Sequence, residues 1–416
     1  MTPGLAAALD LHAARHLASQ IGLTNDWDGH GSRAFHYFAD GQRFLVVSGV
    51  ADSKVVQLAL AYGLTYRGDR RLVLALPAGY SEATMQRAPW LRDDVRPEIW
   101  LHDGATAEQV ALRDRGETTG HDDLPWHKQG PAAELAAAAT PKHLGERAAG
   151  VVELVEWATT DPRLDPGHRR GERSWHCMGQ KVLSITRTHS GLRVVAGIHY
   201  SKPAEAPEPV VLLAGATLTS LQVDTVRAAV EAAIEERLNS ENPRIHRPDE
   251  HWLQAAIRRR PSVVGVEQPA LREVPAWRPQ DGPAKSAGKL PWGRGYIDLI
   301  GVDGHGDIRI VETKLTGNDD ALLVLQGLDY YIWANAYRDV LRSRLGAPSQ
   351  AELEIHYVVG EAPNGAVKVS HYTKALAEAL DDSIRWRFQV VRGWYRLPDD
   401  PALPEAQLLA VGAVPG

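Results

Sequence analysis

Cysteine is nearly absent: the 416 residues contain one, Cys177. A single thiol excludes an intramolecular disulfide and any cysteine-rich zinc module, and it fits a reducing cytoplasm. No run of about 18 apolar residues occurs, and the N-terminus lacks a charged-then-apolar leader pattern, so the expectation is a soluble cytoplasmic protein without a membrane partner. An excess of basic charge is also missing. With 46 Lys and Arg against 52 Asp and Glu the formal charge is −6, so any nucleic acid must be held by a local basic strip rather than by the molecule as a whole. What is present is ordinary globular material, 44% hydrophobic and 24% charged. That composition supports a sizeable core, and at ~100–200 residues per domain the length predicts two or three domains.

Taken in order, Leu5–Ile21 reads as an amphipathic helix packed on the first domain. A strand at Arg43–Val50, a helix at Ser53–Tyr62, a strand at Arg71–Leu76, a helix at Ser81–Arg92 and a strand at Pro97–His102 then alternate. This alternation predicts a Rossmann-like, doubly wound α/β domain over residues 1–140. Ligands of such sheets sit beyond the carboxyl ends of the strands. Here the first strand runs into Ser48-Gly49-Val50-Ala51-Asp52-Ser53 ahead of a helix, where main-chain N–H groups can cradle the phosphate of a small nucleotide. The loop is neither GxGxxG nor a P-loop, and the plainer reading is a domain that packs, dimerises or positions the rest.

Residues 141–240 read as an α+β middle segment. It comprises a helix at Val151–Thr160, a charged loop at Asp161–Arg173, a hairpin of Trp175–Arg187 and Leu192–Tyr200, a strand at Val210–Ala214 and a helix at Ser220–Leu238. Arg169 and Arg170, with His168, Arg173 and Trp175 beside them, are candidate nucleic-acid contacts, since arginines hold phosphates and an indole stacks on an unpaired base. The alternative is a solvated loop before a core tryptophan. His176, Cys177 and His199 match no known metal-site spacing.

The chemistry concentrates between Arg294 and Lys314. Two apolar strands, one carrying Ile297 and Leu299 and the other Ile308, Ile310 and Val311, flank the turn signals Asp303-Gly304 and Gly306-Asp307. In a hairpin turning near residues 304–306, Asp298 faces Glu312, and Glu312 shares a strand face with Lys314. Two carboxylates and an ammonium on one sheet face are costly unless a metal or substrate uses them. Two hard oxygen ligands beside an amine suit Mg²⁺, or Mn²⁺, and a phosphodiester. The plainer reading of so short a motif is a surface hairpin with a solvated ion pair.

Asp298 with Glu312-Thr313-Lys314 resembles the PD-(D/E)XK nuclease superfamily, whose core runs helix, three strands, helix, strand. Residues 245–360 offer those elements in that order: a helix at Asp249–Arg259, a strand at Ser262–Val274, the hairpin, a long helix at Asn318–Arg344 and a strand at Glu352–Val359. Ile297 stands where the proline of the motif would be. Gln326-Gly327-Leu328-Asp329-Tyr330 is similar to the QxxxY signature of the recombination-associated branch, and its i, i+4 spacing places Gln326 and Tyr330 on one helix face.

The resemblance implies a restriction-endonuclease-like core, a mixed sheet flanked by helices, over residues 241–416. It implies a metal held by Asp298, Glu312 and the Thr313 carbonyl, with Glu250 as an extra acidic ligand or simply a favourable acid at a helix start. Lys314 would act on the attacking water or the phosphate, and Gln326 and Tyr330 would position substrate. Arg258, Arg259, Arg260 and Arg294, with Lys285 and Lys289, are candidates for a basic wall along the backbone. The Pro- and Gly-rich Pro275–Gly293 is a candidate loop bordering the groove.

The expected activity is a Mg²⁺- or Mn²⁺-dependent endonuclease on nucleic acid, DNA before RNA, in repair, restriction or anti-phage defence. An alternative is a ligand-gated effector in which the N-terminal domain senses a nucleotide or partner. A third is a binding module that keeps only the fold. A homodimer is a candidate assembly.

Overall fold

Leucine- and β-branched-rich runs, broken by glycine and aspartate at the turns, form three sheets that succeed one another along the chain. In this computed structural model the described residues are 9–23, 34–112, 114–115, 149–169, 172–189, 191–198, 210–214, 217–239, 248–267, 270–279, 292–316, 322–362, 364–396 and 404–409. The first sheet contains β1 (Phe35–Ala39), β2 (Arg43–Ser48), β3 (Arg71–Pro77), β4 (Glu98–His102) and β5 (Ala107–Val110). Its helices are α1 (Leu11–Gln20), α2 (Ser53–Tyr66) and α3 (Glu82–Arg87). Strands β2, β3 and β4 are parallel and the edges antiparallel. Alternate residues serve the two faces: Phe44, Val46, Leu72 and Leu74 share a core with α2, whereas Leu45, Val47 and Val73 meet α1.

The expected alternation of strand and helix is present. Among the described strands, however, the order is β1-β2-β3-β4-β5 without reversal, so the crevice that a doubly wound sheet opens at its switch point has no counterpart.

The second sheet is an antiparallel meander of β6 (Asp165–Arg169), β7 (Glu172–Cys177), β8 (Gln180–Thr188), β9 (Gly191–Ala196) and β10 (Val210–Ala214). It packs with α4 (Ala149–Thr160) and α5 (Ser220–Asn239) through Trp175, Leu183, Val194, Val226 and Val230. Two expectations are corrected here. Residues 165–169, read as part of a charged loop, form an edge strand paired with β7. Trp175–Arg187, read as one strand, is two, joined at Met178-Gly179 with φ of +42° and +78°. A two-residue turn with both φ positive is usually announced by Asn-Gly, and methionine hid it.

The third sheet holds β11 (Leu271–Pro279), β12 (Trp292–Val302), β13 (Ile308–Leu315), β14 (Leu353–Gly360), β15 (Arg385–Arg392) and β16 (Glu405–Leu409), in that order. Strands β11 to β13 are antiparallel, β14 and β15 join β13 in parallel, and β16 is antiparallel. Helix α6 (Glu250–Arg259) starts at Asp249, whose carboxylate accepts the Trp252 N–H at 3.0 Å. Through Trp252 and Leu253, α6 joins the core containing Leu299, Val311 and Val358. Helix α7 (Leu323–Ala336) lies in the other core, with Ile297, Ile310 and Ile355. The period-2 alternation of Ile310 and Val311 therefore feeds opposite faces.

The long helix expected to Arg344 breaks at Tyr337 into α7 and α8 (Arg338–Leu345), and α9 (His371–Glu378) comes after β14. The strand expected from Ser262 begins only at Leu271, after a 3-10 turn at Pro261–Val264 that ends in Gly265 with φ +67°. The third sheet lies between the other two, since one of its faces shares a core with the first sheet and the other with the second. Among the described residues no helix is long and apolar enough to cross a membrane.

Gly327 marks how closely α7 seats on the third sheet: a Cβ there would lie 2.4 Å from a ring carbon of the buried Tyr357. Alanine favours a helix interior over glycine by roughly 0.5–1 kcal/mol, while overpacking a rigid core costs about 1–3 kcal/mol. Gly327→Ala is therefore expected to destabilise, by about 1–2 kcal/mol net, in urea unfolding of the full chain.

Candidate active site

The turn between β12 and β13 is closed by Asp303, whose carboxylate accepts the N–H groups of His305 and Asp307 at 2.8 and 2.9 Å. From there the antiparallel ladder pairs Val302 with Ile308 and proceeds to Leu299 with Val311, where it ends. Beyond that point β12 continues beside β11 and β13 beside β14. The next pair is Asp298 and Glu312. In place of a main-chain bond, the Asp298 carboxylate accepts the Thr313 N–H at 2.9 Å and the Thr313 hydroxyl at 2.7 Å. Gln254 of α6 donates to the same hydroxyl at 3.2 Å. The hairpin thus opens at the residues that the motif singled out.

Burial pushes the Asp298 carboxyl up to about 6, against the two Thr313 hydrogen bonds and Lys314, which favour its charged form. Glu312 is 4% exposed, and burial together with the Asp298 charge holds its carboxyl well above the usual range. Among the described residues, its buried Oε2 has no hydrogen-bond partner. Lys314 reaches Glu250 at the start of α6, Nζ to Oε1 at 2.7 Å. Burial works against the ammonium, but Glu312 and Glu250 outweigh it, and Lys314 stays charged with its pKa raised. Glu250, expected near the metal, is here the partner of Lys314.

On α7, Gln326 and Tyr330 do share the face turned to this cluster. With its amide nitrogen toward Glu312 Oε1 and its oxygen toward Arg278 Nη1, Gln326 lies 3.2 Å from each. The Arg278 guanidinium sits 5.6 Å from the centre of the Tyr330 ring. Burial raises the Tyr330 hydroxyl pKa. Gly295 of β12 leaves the room this side chain needs, because a Cβ there would fall 2.8 Å from the hydroxyl. Arg278 and Gln254 were not anticipated. Arg278 lay in a stretch read as loop, which the structure extends as β11, and nothing marked Gln254 beyond its place one turn after Glu250.

A cleft of about 300 Å³, including the part open to solvent, reaches Asp298 from the α6 and β11 side; Gly179, His251, Gln254, Arg272 and Glu273 line it.

The basic candidates fare differently. Arg258 pairs with Asp165 of β6, and Arg259 donates to the carbonyls of Pro162 and Arg163 at 3.2 and 2.8 Å. These two arginines tie α6 to the second sheet through the unforeseen edge strand, and Arg258 also lines the cleft that reaches Asp298. Arg260 forms the C-cap of α6. Arg169 and Arg294 lie in β6 and β12; Arg170, Lys285, Lys289 and His199 fall outside the described residues. Arg173 is buried over the Trp175 ring, 5.2 Å from its centre. The Cys177 thiol is buried and pushed up to about 11, which suits a core side chain.

The loop after β2 is not an open phosphate cradle. Asp52 already caps α2, accepting the N–H groups of Lys54 and Val55 at 2.9 and 3.1 Å, and Leu9 covers Gly49. An incoming anion would meet a carboxylate.

Among the described residues no group of three or more His, Cys, Asp or Glu is arranged to hold a metal ion. The hairpin instead offers two carboxylates and main-chain oxygen, a small hard donor set of the kind that leaves Mg²⁺ several waters. The partnerless Glu312 oxygen and the upward-shifted Asp298 both fit a cation at this point. No family model, curated protein or solved structure matches the chain.

Without metal, the folded state holds the Asp298 proton more tightly than the unfolded chain does. That contribution is complete below the unfolded pKa near 4 and is lost as pH rises through about 6. Asp298→Asn is therefore expected to be close to wild type in stability at pH 4 and more stable in EDTA at pH 7.5, by up to about 3 kcal/mol. Thermal unfolding of both proteins across that range checks the sign.

Proposed function

We propose that this chain is a divalent-metal-dependent nuclease of the PD-(D/E)XK type that hydrolyses phosphodiester bonds, in DNA before RNA. The observation that carries the reading is Glu312, a buried carboxylate with one oxygen that has no partner among the described residues, beside Asp298 and Lys314 where the β12–β13 ladder ends. The order of helix α6, strands β11 to β13, helix α7 and parallel strand β14 supports it.

Asp298, Glu312 and the Thr313 carbonyl are the residues that would hold Mg²⁺ or Mn²⁺. When bound, the ion supplies positive charge for the phosphoryl oxygens and lowers the pKa of water. Lys314, an ammonium with no lone pair, is not a ligand; Glu250 steers it toward the nucleophile or the phosphoryl oxygens, where negative charge grows. Gln326 orients Glu312, and Tyr330 with Arg278 walls the α7 side. A place in repair, restriction or anti-phage defence belongs to the same proposal.

A second reading, in which the N-terminal part controls the nuclease, is favoured by one observation: Arg87 of α3 is bonded to Asp329 of α7 inside the protein. A partner is the better candidate effector than a nucleotide, because Asp52 occupies the helix start after β2.

The division of roles is open to a direct test. Lys314→Ala is expected to bind Mn²⁺ about as well as wild type but to cut DNA on the order of 10²-fold more slowly. Glu312→Ala is expected to lose both. Calorimetry with Mn²⁺ beside single-turnover cleavage of single-stranded DNA, duplex DNA and RNA reads the contrast. A wild-type protein that neither binds Mn²⁺ nor cuts any of the three overturns the proposal.

A further inference from the structure

A buried polar chain runs from the first sheet's helices to Glu312. Arg87, 1% exposed, forks onto Asp329, 0% exposed, with Nε to Oδ1 and Nη2 to Oδ2 both at 2.7 Å. Asp329 Oδ2 also accepts from Arg278 Nε at 3.1 Å. The Gln326 amide is assigned, from its hydrogen bonding, the orientation in which its oxygen accepts from Arg278 Nη1 and its nitrogen donates to Glu312 Oε1, each at 3.2 Å. Charges alternate along the chain: cation, anion, cation, amide dipole, anion.

Each link has only one chemically allowed direction. A guanidinium donates and never accepts, and Asp329, like Glu312 in the ionised form that binds a metal, accepts and never donates. Asp329 therefore turns Arg278, and Arg278, offering only N–H groups to Gln326, selects the amide orientation. The amide NH₂ is then aimed at Glu312 Oε1, and Oε2 is left as the oxygen with no partner among the described residues. With Arg278 removed, the amide is free to turn over and present its oxygen to a carboxylate, which repels it. Glu312 then loses the hydrogen bond that Gln326 gives its Oε1.

We infer that Arg278 is a positioning residue for the metal site: held by Asp329 and Arg87, it fixes the Gln326 amide so that Glu312 presents Oε2 to the ion. The inference rests on the reading of Glu312 as a metal ligand. It makes the first sheet's helices a part of the site's construction, through Arg87, although they contribute no ligand. Outer-shell partners of this kind are worth roughly 10- to 100-fold in metal affinity.

The test is Mn²⁺ calorimetry on the full chain in a double-mutant cycle, with thermal unfolding in EDTA to establish that each variant is folded. Gln326→Leu and Arg278→Met are each expected to weaken Mn²⁺ binding by roughly 10- to 100-fold. Because Arg278 acts through Gln326, the double variant is expected to bind no more weakly than Gln326→Leu alone. Arg278→Lys is expected to recover part of the loss, since an ammonium also only donates; a purely structural arginine would not show this order. If Arg278→Met does not fold, Asp329→Asn replaces it, because it removes the charge that both arginines share and turns an NH₂ group on one of them, and the same weakening is expected. Additive losses, or wild-type affinity in Arg278→Met or Asp329→Asn while Gln326→Leu is weakened, overturn the inference alone. Wild-type protein that binds no Mn²⁺, or binding that survives Glu312→Ala, removes the metal assignment and the inference with it.

Discussion

Two carboxylates taken out of water side by side are the constraint to which the rest of this structure responds. Both Asp298 and Glu312 are shifted upward by burial, and the Asp298 charge raises Glu312 further. Each is surrounded by groups that offset part of that cost: the N–H and hydroxyl of Thr313 for Asp298, the Gln326 amide for Glu312, and Lys314 near both. The offset is incomplete at Glu312 Oε2. A protein that only needed a stable hairpin would gain by replacing these groups with apolar ones of similar volume, and the residual cost is what the proposed cation would relieve.

The third sheet can carry such a site because it is covered on both faces. Helix α6 brings Glu250 and Gln254 to one side of the hairpin, α7 brings Gln326 and Tyr330 to the other, and the neighbouring sheets hold both helices in place. Arg258 and Arg259 fasten α6 to β6 and the residues before it, while Arg87 fastens α7 to α3. Arg258 and Arg259, candidates for a nucleic-acid surface, thus also fasten a helix, and Arg258 keeps a place on the cleft that reaches Asp298. This is consistent with the net charge of −6, and the cleft, lined also by His251, Gln254 and Arg272, is the described approach to Asp298.

Much of the fold and part of the site were legible in the chain itself. The alternation of strands and helices before residue 102 reads directly, because period-2 and period-3.6 burial patterns are local properties. So does the hairpin, whose Asp-Gly turn and apolar flanks bring Asp298 opposite Glu312 by counting alone. The i, i+4 spacing of Gln326 and Tyr330 likewise predicted a shared face, because helix geometry is invariant.

What the chain did not disclose are relations between segments distant in sequence. The Met178-Gly179 turn carries no Asn-Gly signal, yet its fit against His251 demands the conformation: a Cβ on Gly179 would lie 2.2 Å from the His251 carbonyl oxygen. Arg278 looked like part of a Pro- and Gly-rich loop until β11 paired with β12, and Arg87 lies 242 residues from the aspartate that holds it. Asp52 read as part of a phosphate loop and proved to be a helix cap. Residue type and spacing therefore determined which groups the hairpin presents. Tertiary packing decided which arginines are buried, which way an amide points and which carboxylate oxygen is left open, because burial and hydrogen-bond polarity depend on neighbours that no local pattern encodes.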